Sequence, residues 1–306
     1  MHILIQFALL KFIASTQAFA SDPRFNGQES YENLVLLSQN GQRYYGAPKR
    51  QEALTTLQEQ LIGLDLDVEI QTFEASLPDE SKRHQLYNII AQSKLNSPHR
   101  VILASHWDTR PWAEEANKRR HRNKPIQGAN DGTSGLAVIL EIMRIINLSP
   151  LDHISVDVVF FDGEELGKPG VGGYCKGSEF FVEHLQQVYF APPIGVVVLD
   201  MVGDQNLQIE REYHSISQSP VLWSSLSQHL EAQAVSINHP PIAIKDDQFP
   251  FIQKGIPAAL IIDMDYPHWH TPQDTVDKCS PDSLEKVGQA ILEWLRAQDE
   301  AYGAAP

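Results

Sequence analysis

The sequence predicts an α/β fold: a single domain with a mostly parallel central sheet and helices on both faces. Three observations predict it. First, residues 101–104, 196–199 and 258–262 are short, continuously apolar runs, and 156–161 is apolar apart from Asp157, as strands buried on both faces require. Second, these runs alternate with segments of helical spacing, the order that builds a parallel sheet from strand–helix–strand crossovers. Third, no internal repeat and no Pro-, Gly- or Ser-rich linker divides the 306 residues. That length exceeds the common domain size of about 100–200 residues but is within reach of one α/β domain.

The elements follow in order. Residues 1–20 are largely apolar and end in Ala18-Phe19-Ala20, the small-x-small form of a signal cleavage site, with Lys11 interrupting the run. They read as a signal peptide, which leaves a domain at 21–306 and a secreted or periplasmic protein; the alternative is a hydrophobic first helix. Residues 49–63 place Leu54, Leu57, Leu61 and Ile62 on one helical face. Residues 67–75 alternate as a strand, and 85–93 read as another. After the strand at 101–104, residues 114–124 are polar and basic and read as a surface loop. Helices are expected at 134–146 and 178–185. The chain closes with an amphipathic helix at 283–296, with Leu284, Val287, Ile291, Leu292 and Leu295 inward.

Composition narrows the function. With 42% hydrophobic and 21% charged residues, a packed core is within reach and global disorder is not expected. A formal charge of −15 opposes binding to nucleic acid. No run of about 18 uncharged apolar residues supports stable membrane insertion. Two cysteines, Cys175 and Cys279, are too few for a disulfide scaffold or a thiolate zinc site, and whether they pair is open.

The chemistry-bearing residues collect at strand exits. The first buried strand ends in His106-Trp107-Asp108, the second in Asp162-Gly163-Glu164-Glu165, the third in Asp200, and the last leads to His268-Trp269-His270. Asp131 stands just before a helix. In open α/β sheets the ligand crevice lies beyond the carboxyl ends of the strands, so these groups converge. Imidazoles and carboxylates with little sulfur suit zinc. Plainer readings exist: Asp131 as a helix cap, Asp200 as a turn residue, His106 as a satisfied core histidine. His121, His153, His184, His214, His229 and His239 read as surface residues. Glu164-Glu165 resists such a reading, because two adjacent carboxylates after an apolar strand repel unless a cation or a shared proton relieves them.

The segments SHWDTRPWAEE, GANDGTSGLAVILEI, VVFFDGEELG, YCKGSEFF, VVVLDMVGD, KDDQFPFIQKGIPA and HWHTPQDT resemble the zinc-dependent aminopeptidase-like M28 peptidases, and most of all their glutaminyl cyclase branch. The resemblance implies Asp131, Glu165 and His270 as ligands of one Zn2+. It implies Glu164 as the general acid/base, Asp200 and Asp246 as a hydrogen-bonded carboxylate pair, and Trp269 as a wall of the substrate pocket. Substrates would be peptides or proteins with N-terminal Gln, closed to pyroglutamate with loss of ammonia. The chain departs from animal members at Gly170, where they carry a tryptophan. The alternative within the family is a di-zinc aminopeptidase, with His106 and Asp200 holding a second metal and Asp131 bridging. A catalytically inactive binding module is a third reading, opposed by the intact Glu164 and donor set.

Overall fold

A computed structural model describes residues 23–77, 80–95 and 97–304; the proposed signal peptide lies outside them. Eight strands and nine α-helices follow one another along these residues. The strands are β1 (Asp67–Ser76), β2 (Arg83–Gln92), β3 (Arg100–His106), β4 (Ser155–Phe161), β5 (Gly195–Asp200), β6 (Gln208–Ile209), β7 (Ser236–Ile237) and β8 (Ala258–Ile262). The helices are α1 (Gly27–Gln39), α2 (Arg50–Gly63), α3 (Thr133–Leu148), α4 (Lys176–Glu183), α5 (Leu185–Val188), α6 (Tyr213–Gln218), α7 (Pro220–Ala232), α8 (Gln248–Gln253) and α9 (Pro281–Gly303).

The main sheet has six strands in the order β1-β2-β4-β3-β5-β8. The four strands β4, β3, β5 and β8 run parallel, and the β1–β2 hairpin joins antiparallel at one edge. The architecture is therefore the expected mixed α/β domain, with the parallel part confined to the strands with mostly apolar, almost fully buried sequence. Alternate residues of those strands enter two separate cores. Val101, Leu103, Val156, Val158, Val197 and Leu199 face one, with side chains of α1, α3, α7 and α9. Ile102, Ala104, Val159, Phe161, Val196 and Val198 face the other, with Phe181 of α4 and Phe251 of α8. Burial on both faces is the physical reason these strands lack polar alternation.

The fold positions the site by register. His106 pairs with Phe161, and Asp200 with Ile262, so the carboxyl ends of β3, β4, β5 and β8 lie side by side. The crossover after β3 leaves on the α3 face and the one after β4 on the α4 face, which opens a crevice between the loops that follow them. Among the described residues, no helix is long and apolar enough to cross a membrane. Cys175 and Cys279 are both buried and unpaired. None of the six histidines read as surface residues is buried.

Candidate active site

The loop between β3 and α3 brings the first donors. Asp131 is buried, and Gly132 follows it with φ of +76°. A Cβ on Gly132 would fall 2.5 Å from the His106 ring, so only glycine permits both the turn and the approach of α3 to His106. Asp131 does not cap α3, whose N-cap is Gly132. Instead the backbone N–H groups of Asn130 and Asp131 donate to the buried Asp274 carboxylate at 2.8 and 3.2 Å, and Tyr266 Oη donates to it at 2.8 Å. This leaves the Asp131 side chain free to face the crevice.

Asp131, Glu165 and His270, all buried, bring one donor atom each within 4.8 Å of one another. His270 Nε2 lies 3.6 Å from Asp131 Oδ2 and 3.5 Å from Glu165 Oε2. Asp131 Oδ2 and Glu165 Oε1 are buried and have no hydrogen-bond partner. Unsatisfied buried carboxylate oxygens are rare because each forgoes its hydration; grouped with an imidazole, these two carboxylates fit a divalent cation of zinc's preferences. His270 adopts a left-handed φ of 51°, a strained conformation that clusters at functional sites.

A second group overlaps the first. His106 Nε2 lies 3.1 Å from Asp131 Oδ1 and 3.2 Å from Asp200 Oδ1, and its Nδ1 lies 3.1 Å from the Asp108 carbonyl. Asp200 also accepts from Gly132 N–H at 3.0 Å. Burial alone would lower the His106 pKa. The charge of Asp200 and hydrogen bonds to Asp108, Asp131 and Asp200 outweigh it, and the pKa is raised well above the ordinary imidazole value. Asp131 thus stands between the two groups, each carboxylate oxygen facing one.

Glu164 is half-buried, opposite Asp246 and Cys175. Desolvation, then the charges of Glu165 and Asp246, holds its pKa well above the ordinary carboxylate value. Asp246 is also raised well up, by burial and by Asp200 and Asp247. Cys175 Sγ donates to Glu164 Oε1 at 3.5 Å. A cleft of about 280 Å³, lined in part by Tyr174, Cys175, Asp246 and Phe249, opens beside them. Trp269, half-buried, stacks on His270 with ring centroids 4.0 Å apart.

The structure therefore brings together Asp131, Glu165, His270, His106, Asp200, Glu164, Asp246 and Trp269. Two expectations are corrected. The 114–124 segment is not solely a surface loop: Glu114 turns inward and accepts from His270 Nδ1–H at 3.0 Å, while the exposed part begins after it. Arg110 is likewise a site residue that polarity alone did not reveal. Asp162, at the same strand exit as Glu164, points away from the crevice and pairs with buried Arg50.

The chain matches peptidase family M28 over residues 88–295. It is 26% identical over 277 residues to the glutaminyl-peptide cyclotransferase of Drosophila melanogaster, covering 78% of this chain and 73% of the relative. Its structure resembles the glutaminyl cyclase of Porphyromonas gingivalis with a TM-score of 0.84 and 28% identity, over 90% of this chain and 99% of that one. A leucine aminopeptidase precursor of Bacteroides thetaiotaomicron is similar to almost the same extent, with a TM-score of 0.83 and 27% identity over 90% and 98% of the two chains. The match covers well over half of the chain and contains every donor at the crevice, and the protein belongs to peptidase family M28.

Proposed function

We propose that the protein is a glutaminyl-peptide cyclotransferase, an acyltransferase that converts the N-terminal Gln of exported peptides or proteins to pyroglutamate and releases ammonia. The observation that carries the reading is the protonatable pair Glu164 and Asp246 on the cleft side of the Asp131, Glu165 and His270 donors. Its cyclotransferase relatives and bacterial glutaminyl cyclase neighbours support it.

Asp131, Glu165 and His270 would hold one Zn2+. When bound, the ion supplies Lewis-acid polarisation of the substrate's γ-carbonyl. The chain's own residues do the rest. Asp200 and Asp246 accept hydrogen bonds from the substrate α-amine. Trp269 and Phe249 bury the folded-back side chain, which makes a five-membered closure intramolecular and well oriented. Glu164 takes the proton lost as the α-nitrogen bonds the side-chain carbonyl carbon (Cδ), and returns it to the amide nitrogen that departs as ammonia when the Cδ–Nε bond breaks. Desolvation first, and then the charge of Glu165, raises the Glu164 pKa; with Glu165 engaged by the ion, the second of these is offset.

The second reading, a di-zinc aminopeptidase, is favoured by the His106, Asp131 and Asp200 group and by the aminopeptidase neighbour. A Gln-initiated dipeptide assayed for ammonia, beside a leucine amide assayed for free amino acid, decides between them. Ammonia from the dipeptide with little release from the amide is expected; the reverse pattern overturns the cyclase.

A further inference from the structure

We propose that Arg110 and Glu114 form a positioning clamp that presets two of the three metal donors, and so sets how tightly this chain holds its ion. The inference rests on the metal reading above but not on which reaction follows.

Arg110 is fully buried. Its Nη1 donates to Glu165 Oε2 at 3.1 Å and to the Glu165 carbonyl at 3.0 Å, and reaches the Gly167 carbonyl at 2.9 Å. It thereby grips both the side chain and the backbone of one donor residue. Its Nε donates to Glu114 Oε1 and Oε2 at 3.0 and 3.2 Å, and Nη2 bonds Glu114 Oε1 again. The guanidinium lies 4.9 Å from the Trp112 ring and 5.3 Å from the Tyr174 ring, aromatic faces that hold a planar cation in place. Glu114 Oε1, fixed in this way, accepts from His270 Nδ1–H at 3.0 Å.

One rigid fork therefore spans two donors that are distant in sequence. The Glu114 carboxylate keeps the proton on His270 Nδ1, which leaves Nε2 as the donor facing Asp131 and Glu165 and makes that nitrogen more basic. Arg110 bonds Glu165 Oε2, the oxygen 3.5 Å from His270 Nε2, and leaves Oε1 without a partner. Carboxylates that orient a ligating histidine are typically worth about 10–100-fold in metal affinity. Asp131 is held by a different group, Asp274, so the clamp acts on two donors only.

The test is zinc affinity of the purified full chain, by competition with a chromophoric chelator, in wild type, Glu114→Gln, Glu114→Ala, Arg110→Lys and the exposed control Glu115→Ala. Cobalt-loaded protein provides a visible spectrum that reports donor geometry. Glu114→Ala and Arg110→Lys should weaken zinc binding about 10–100-fold and alter the cobalt spectrum. Glu114→Gln keeps an oxygen acceptor for Nδ1–H and should fall between Glu114→Ala and wild type, and Glu115→Ala should match wild type. Thermal unfolding of each variant separates a folded protein from a collapsed one, and Glu114→Gln keeps the test decisive should Arg110→Lys not fold. Wild-type affinity in both Glu114 variants overturns the clamp alone. A wild type that takes up no zinc overturns the clamp and the metal reading together.

Discussion

At Glu164 the environment and the chemistry can be separated by a single isosteric change. Glu164→Gln keeps size and leaves Glu165 in place, so metal content should stay at the wild-type level while kcat falls by about 10²–10⁴-fold, the usual contribution of a general acid/base; a variant with a tenth of normal kcat would assign the proton to another group. The overlapping donor groups give a second residue-scale expectation. Asp131→Ala, Glu165→Ala and His270→Ala should each strip the ion, because each removes one of three protein ligands. His106→Ala should retain about one equivalent of zinc by elemental analysis, since His106 Nε2 is occupied by Asp131 and Asp200 as a hydrogen-bond donor. Two equivalents in wild type, one of them lost with His106, would transfer the assignment to the two-metal enzyme. These donors were legible in the sequence because each follows an apolar strand or starts a helix, positions that fold physics carries to one edge. Glu114 was not: it opens a run of exposed charges, and no local feature separates its inward carboxylate from its neighbour Glu115. Arg110 had a faint signal, a cation spaced between Trp107 and Trp112.

Elements were legible to the extent that burial was one- or two-sided and apolar. β8 spans residues 258–262 as expected, and β3, β4 and β5 differ from expectation only by their polar end residues, because both faces are covered. α1 escaped notice because its buried face includes Gly27, Ser30 and Ser38 beside Leu34 and Leu37; small residues let α1 approach α3 and α9 but blur the apolar stripe. α7 carried a readable stripe, Leu222, Leu226 and Leu230, diluted by serines. Close packing of α3 on the sheet rests on Gly135, where a Cβ would stand 2.2 Å from the Leu199 carbonyl oxygen. Gly135→Ala should therefore destabilise by about 1–3 kcal/mol, the range of overpacking. At about 2–4 °C per kcal/mol for a chain this size, calorimetry should record a lower Tm by several degrees. Exposed Gly63 at the end of α2, with nothing within 4 Å, is the matched control, and its alanine variant should be neutral or slightly more stable. An unchanged Tm for Gly135→Ala would mean that α3 does not pack this closely on β5.

Across the whole molecule, acidity concentrates where the sheet ends, and this couples stability to pH and to metal. Burial pushes Asp162 and Asp274 up to about 6, and Asp247 and Asp263 up to about 7. The folded chain thus binds protons that an unfolded carboxyl, with a pKa near 4, has already released. Between about pH 4 and pH 7 the native state holds more protons than the unfolded state, so stability falls as pH rises through that window. His270 adds to the trend. Burial lowers its pKa, but the Glu165 charge and the bonds to Glu114 and Glu165 raise it further, to about 10, so its stabilising proton is lost only as pH climbs from near 6.5 toward 10. Glu165 acts in the opposite direction, since His270 and Arg110 overcome the effect of burial and hold its carboxyl below the usual range, but that gain is complete by about pH 5. Chelator-treated protein should accordingly melt at a lower temperature at pH 8.5 than at pH 5.5. Zinc should reverse the ranking of its own effect: it binds the deprotonated donors, so less proton release opposes it at high pH. At a free zinc concentration about 100 times Kd the stabilisation is about 2.7 kcal/mol, or roughly 5 °C at about 2 °C per kcal/mol. Melting curves at one fixed zinc concentration should show a larger zinc-induced rise in Tm at pH 8.5 than at pH 5.5. An equal or larger rise at pH 5.5 would mean that the buried His and carboxylate donors are not where the ion binds, because no other group described at the crevice would reverse that proton balance.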